Sequence, residues 1–209
     1  DIADGLRVEY TALNEPFVSE ALETTTGVTS STIINFQVAN SAFKTDVSGL
    51  SFVVVAEEDD SITGFTDADK YFYVGQSIAV TGSTAGGNNT TYTVSSVSSA
   101  SVTVSAVVTG ATSQTLTFKN NGNAILGGAA GTNTFTDFLA ADKIKVQGSA
   151  SNDADYTISS ISSNGDALIV SSAPSAVESP GERITITQIS VEDATPDATS
   201  HINLNRMLS

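Results

Sequence analysis

The chain has 209 residues, enough for one large β domain or two to three small ones. It holds no Cys, no Trp and a single His, which excludes a disulfide framework, thiolate chemistry and histidine-rich metal sites. With 8 bases against 23 acids the net charge is −15, which argues against phosphate-neutralising contact with nucleic acid and against binding to anionic membranes.

Charged residues make up only 15%, so the polar surface must come from the 69 Ser, Thr and Asn side chains. The longest strongly apolar run, 50–56, is far shorter than the ~20 residues a membrane-spanning helix needs. Asp1 in place of Met hints at processing of the N terminus.

In chain order, residues 14–22 carry the one helical pattern. Asn14 is placed to cap, Pro16 falls in the first turn, and Phe17, Val18, Ala21 and Leu22 recur at helical spacing. Thr24 to Gly27 would end that helix; an extended arm is the alternative. Alternating and β-branched runs then predict strands at 32–38, 50–55, 77–80, 92–97, 101–104 and 115–118, and again at 143–146, 156–161, 167–170 and 183–189. Gly, Asn, Asp and Ser clusters punctuate them as in a sandwich or small barrel. The acidic run Glu57-Glu58-Asp59-Asp60 follows Phe52-Val53-Val54-Val55 and reads as a gatekeeper against intermolecular strand pairing.

The strongest signal is an internal repeat. One copy reads Phe65-Thr66-Asp67, then Gly75-Gln76-Ser77-Ile78-Ala79-Val80-Thr81-Gly82-Ser83, Asn89 and Tyr92-Thr93-Val94. The other reads Phe135-Thr136-Asp137, then Ala141-Asp142-Lys143-Ile144-Lys145-Val146-Gln147-Gly148-Ser149, Asn152-Asp153 and Tyr156-Thr157-Ile158. The offset is 66 at the Gly-Ser pair and 64 at the Tyr, and the shifts fall in turns, where insertions are tolerated. Phe65 and Phe135 are expected to plug one end of each core. A copy of about 55 residues is marginal alone, so packing between copies or subunits is expected.

The expected fold is all-β: an N-terminal β region over 1–60, a first repeat module over 61–118, a connector over 119–131, a second module over 132–187 and a tail over 188–209. The two modules are read as tandem, related small barrels or sandwiches. The tail has few apolar anchors and is expected to order only against a partner.

The repeat resembles a β-module common in tailed-bacteriophage virion proteins, where a Gly-Asp-x-Ile-x-Val-x-Gly-Ser-x-x-Asn-Asp-Gly-x-Tyr-Thr-Val run is typical. The second copy keeps Asp142, Ile144, Val146, Gly148, Ser149, Asn152, Asp153, Tyr156 and Thr157. It departs at Ala154-Asp155, and the first copy departs at Gln76 and at Gly86-Gly87-Asn88-Asn89. The match covers about half the chain. The resemblance implies a non-enzymatic structural subunit of a virion, a capsid decoration or cement protein or a tail or head–tail component. It implies contacts with other virion proteins and with copies of the chain itself, as a homo-oligomer working through β modules and terminal arms. It implies no catalytic residues. Similar modules occur in bacterial surface proteins, so the alternative is a secreted or cell-surface adhesin or glycan-binding protein, stabilised by calcium.

Candidate chemistry is sparse. His201 lies beside Ser200 in the tail, and adjacent residues do not make a triad. Paired acids could serve glycoside hydrolysis, but the Trp platforms common in sugar clefts are missing. Calcium is the better case: Asp67 and Asp69 are spaced i, i+2, as are Asp153 and Asp155. A twelve-residue calcium loop is missing, and the same acids would serve to cap strand ends and block edges. Gly86-Gly87 and Gly127-Gly128 are not followed by the Gly-Lys-Ser/Thr of a phosphate loop.

Overall fold

A computed structural model describes residues 23–191 apart from 57 and 128–133. The helical pattern at 14–22, the tail beyond 191 and His201 lie outside the described residues. The chain is all-β. Strands β1 (Glu23–Ser31) and β2 (Asn35–Gln37) come first. Six strands follow, β3 (Ala42–Val53), β4 (Asp60–Thr63), β5 (Ser77–Thr81), β6 (Thr91–Val97), β7 (Ser101–Val104) and β8 (Ala111–Asn120). They close a barrel in the order β3-β4-β7-β6-β5-β8. The last five are β9 (Ala124–Leu126), β10 (Lys143–Gln147), β11 (Asp155–Ile161), β12 (Ala167–Val170) and β13 (Ile184–Val191). With β1 and β2 they make a seven-stranded sheet, ordered β1-β13-β10-β11-β12-β9-β2.

The barrel closes because β3 is long and bent. It pairs with β8 along most of its length and with β4 at its far end. The β3–β8 ladder shifts register repeatedly, and Asp46 and Gly49 within β3 have φ of 51° and 79°. Such bulges sharpen the local twist and let one strand serve both sides of a seam. Alternation then fills the interior: Ile78 and Val80, Tyr92 and Val94, Leu116 and Phe118 all point inward. Phe72 anchors the aromatic part, with edge contacts at 5.2 Å to Phe43, 5.4 Å to Phe65 and 5.2 Å to Phe118.

The second sheet is rolled. β1 and β2 lie at opposite edges of it, yet only residues 32–34 separate them in the chain. From Ser31 to Asn35 the chain spans at most about 14 Å. Flat, the same edges would stand about 29 Å apart, six spacings of about 4.8 Å. The segment before β13 covers the seam. Phe36 and Glu178 exchange two backbone hydrogen bonds, at 2.9 and 3.1 Å, and Gly181 N–H donates to the Thr32 carbonyl at 2.9 Å. Phe36, Ile125, Phe135, Phe138, Tyr156 and Ile184 fill the interior.

Most strands fall where the sequence puts them, but four differences matter. Thr24 to Gly27 lie in β1 rather than ending a helix. The N-terminal 60 residues are shared out: β1 and β2 join the second sheet, while β3 and the first residue of β4 belong to the barrel. The connector contains β9, buried at all three residues and paired with both β2 and β12. Finally, the pairings β5–β6, β6–β7 and β5–β8 do recur as β10–β11, β11–β12 and β10–β13. The structure nevertheless shows one closed barrel and one sheet completed by strands that precede that barrel, so two tandem modules are not confirmed. Pairing over such distances leaves no local mark in the sequence.

A buried amide network ties the barrel to the sheet. The Gln37 side-chain carbonyl, on β2, accepts from Gln76 Nε2 and from Asn120 Nδ2, both at 2.8 Å. Gln37 Nε2 donates to the Tyr71 carbonyl at 2.7 Å, and Asn35 Nδ2 to the Lys70 carbonyl at 2.9 Å. Asn35, Gln37, Gln76 and Asn120 are all essentially inaccessible to solvent. Tyr73 packs beside them against Ala124, Leu126 and Ala167. Removing one member strands its partners without water, at about 1–3 kcal/mol for each buried group. We expect Gln37→Ala to lower stability by about 3 kcal/mol or more in urea unfolding, whereas Asn121→Ala, at an exposed position beside the junction, stays within about 1 kcal/mol.

Candidate functional site

The residues of the repeated motif are the first candidates, and in both copies they build the same turns. Ser83 N–H donates to Asn89 Oδ1 at 2.8 Å, and Ser149 N–H donates to Asp153 Oδ1 at 2.7 Å. Asn88 bonds both ways with the Thr109 backbone, at 2.7 and 2.8 Å; Asn152 does the same with Ala176, at 3.1 and 3.0 Å. Tyr92 donates its hydroxyl to the Asn88 carbonyl at 3.2 Å, and Tyr156 to the Asn152 carbonyl at 3.0 Å. The Gln76 and Asp142 side chains accept from the Tyr73 and Leu139 N–H groups, at 3.2 and 2.7 Å. Gly82 and Gly148 have φ of 95° and 90°, and a Cβ on either would meet a backbone oxygen, of Thr115 at 2.4 Å or of Arg183 at 2.5 Å. Gly75 shares the left-handed conformation but has open space around it; its counterpart Ala141 adopts φ of 75° with a side chain.

This geometry assigns work to the calcium candidates. Asp153 accepts from the turn it follows, and the backbone N–H groups of Ser149 and then Gly148 hold its carboxyl below the usual carboxylate range. The first copy does the same with the neutral Asn89, so the turn needs an acceptor rather than a charge. Asp155 stands on β11 opposite Lys145 of β10. Asp67 accepts from Lys44 Nζ with both oxygens at 3.1 Å, and that ammonium also sits 3.7 Å from the centre of the Tyr71 ring. Asp69 lies in the short 3-10 turn Ala68–Lys70. Among the described residues no three His, Cys, Asp or Glu side chains gather as metal ligands.

Two surface features are not evident from the motif. One is the barrel rim formed by the β3–β4 and β7–β8 loops. Asp60, 4% exposed, accepts from Val55 N–H at 2.8 Å and from Val108 N–H at 2.6 Å. One carboxylate thus ties both loops, and those two donors, Val108 first, hold it below its ordinary value of 3.8. Of the acidic run, Glu58 and Asp59 are exposed, while Asp60 is this buried clamp. The other feature is a shallow groove lined by Phe135, Thr136, Ser163 and Asn164, where Asn164 Oδ1 is buried without a hydrogen-bond partner.

No protein-family model, curated protein or solved structure matches this chain. The polar residues of the motif are occupied inside their turns, and the features that face outward are the rim, the groove and a hydroxyl-rich surface.

Two outcomes follow. A depressed folded pKa means that Asp60 contributes stability above the unfolded carboxylate value, and that this contribution is lost as pH falls through the lower folded value. Asp60→Asn should therefore lower the melting temperature at pH 7, and the gap from the parent chain should narrow below about pH 4, as followed by circular dichroism. At the turns, Gly82→Ala and Gly148→Ala should each cost about 2–4 kcal/mol, Gly75→Ala about 1 kcal/mol, and Ala141→Gly should gain up to about 1 kcal/mol in denaturant unfolding.

Proposed function

We propose that the chain is a non-catalytic structural subunit of a phage virion, a capsid decoration or tail-type component, which works by presenting fixed surfaces to its neighbours. The observation that carries this reading is the use made of the motif residues. The side chains behind the virion resemblance hold turns in both copies, and the buried amides at Gln37 hold barrel and sheet together. A satisfied buried network rigidifies the parts it joins. A rigid body with a hydroxyl-rich exterior suits repeated placement on a particle, where contact geometry is the product. The test is electron microscopy of the native source material at a resolution that traces this chain. Density repeating at fixed positions on a shell or tail is the expected result; a chain found only on cells or free in solution overturns the reading.

One feature favours a second reading, a cell-surface adhesin or glycan-binding protein stabilised by calcium. Asn164 lines a shallow groove with Thr136 and Ser163, polar side chains suited to hydrogen bonding a sugar hydroxyl. A ligand that binds only the folded chain raises its melting temperature. A reproducible shift with glycans or calcium, lost for the glycan in Asn164→Ala, would favour this reading.

A further inference from the structure

Four large apolar side chains are exposed among the described residues: Val53, Val54, Val107 and Leu139. Two of them, Val54 at 56% and Val107 at 91% of full exposure, stand together on the barrel rim, and Val53 at 39% precedes Val54 at the end of β3. Val54 and Val107 line a groove with Val55, beside exposed Glu58 and Asp59 and over the Asp60 clamp, and Val53 ends the strand that leads into it. The sequence explains such acids as gatekeepers for an aggregation-prone strand. In the closed barrel the last residues of β3, 51–53, pair with β4 on one side while the strand pairs with β8 on the other, so the stretch next to the acids offers no free edge to guard. The valines are also not left to loose loops, because Asp60 fixes both walls of the groove through Val55 and Val108.

We propose that this rim is a docking groove for a cationic, aliphatic segment of a partner protein. The inference rests on the structural-subunit reading and names the contact face that such a subunit would use. Charge complementarity chooses the occupant. The valines accept aliphatic side chains, and Glu58 and Asp59 favour a neighbouring Lys or Arg. A second copy docking rim to rim would set these acids against their own kind, with −15 on each chain. Because the walls are already held, binding orders little of the groove, which limits its entropic cost. The apolar contact is small, so a single contact is weak and gains strength through repetition on an assembly.

The test is a titration of the isotope-labelled full chain, followed by amide chemical shifts. The probes are a capped hexapeptide alternating lysine with valine and its glutamate counterpart. The lysine peptide should give saturable shifts confined to residues 53–60 and 105–110. Binding should weaken about tenfold in Val54→Ser/Val107→Ser, and separately in Glu58→Gln/Asp59→Gln, which changes charge without touching the valines; a 1.4 kcal/mol loss corresponds to that factor. Diffuse shifts over the acidic surface that survive both variants overturn the proposal. So do equal shifts with the glutamate peptide, and so does rim self-association without any peptide. A chain that sits on the particle with an inert rim loses only the docking inference; an active rim on a chain found off the particle loses only the virion reading.

Discussion

The structure hinges on one side chain, Gln37. Its carbonyl takes two hydrogen bonds from the barrel, its amide gives one back, and its backbone belongs to the rolled sheet. Barrel and sheet each have their own apolar interior, and among the contacts that join them are a small apolar cluster at Tyr73, Val177 packed against the barrel core, and this amide set. Apolar contact is tolerant of sliding. Directed hydrogen bonds between buried amides are not, because each misplaced donor or acceptor would be left without water. The junction therefore fixes orientation as well as proximity.

The repeat shows how little of a conspicuous motif needs to concern chemistry. Asn89 and Asp153 occupy matching positions and perform the same task, although one is neutral and one charged. The Gly-Ser pairs are glycine because a neighbouring strand's carbonyl lies where a Cβ would be. The Tyr hydroxyls reach back four residues to a turn carbonyl in both copies. A pattern this specific in sequence can arise wholly from the demands of a tight β turn packed against an adjacent strand.

Local structure was legible and long-range structure was not. Strands such as β5, β6, β10 and β11 announce themselves through alternation and through the Gly or Asn that bounds them. β9 does not, since three consecutive buried residues have no period to read. β3 is obscured because its bulges and the positive φ at Asp46 and Gly49 break the alternation. The division of the N-terminal region between two bodies depends on pairings far apart in the chain, such as Asn35 with Leu126 and β1 with β13. Of the candidate site, the acidic run was visible, but its inner role was not. Nothing in Glu57-Glu58-Asp59-Asp60 distinguishes the last acid from its neighbours until Val55 and Val108 are brought to it by the fold.

The order of strands in the rolled sheet also sets a timetable for synthesis. β1 leaves the ribosome first among the described strands, yet its partner β13 is the last to emerge. At about 5–20 residues per second, the intervening chain takes on the order of ten to thirty seconds to appear. The barrel, whose strands are contiguous from β3 to β8, has all its partners well before then. A nascent chain thus has every barrel strand, and β9 for β2, while β1 still waits for its partner, and the second body becomes whole only when nearly all of the described chain has been made.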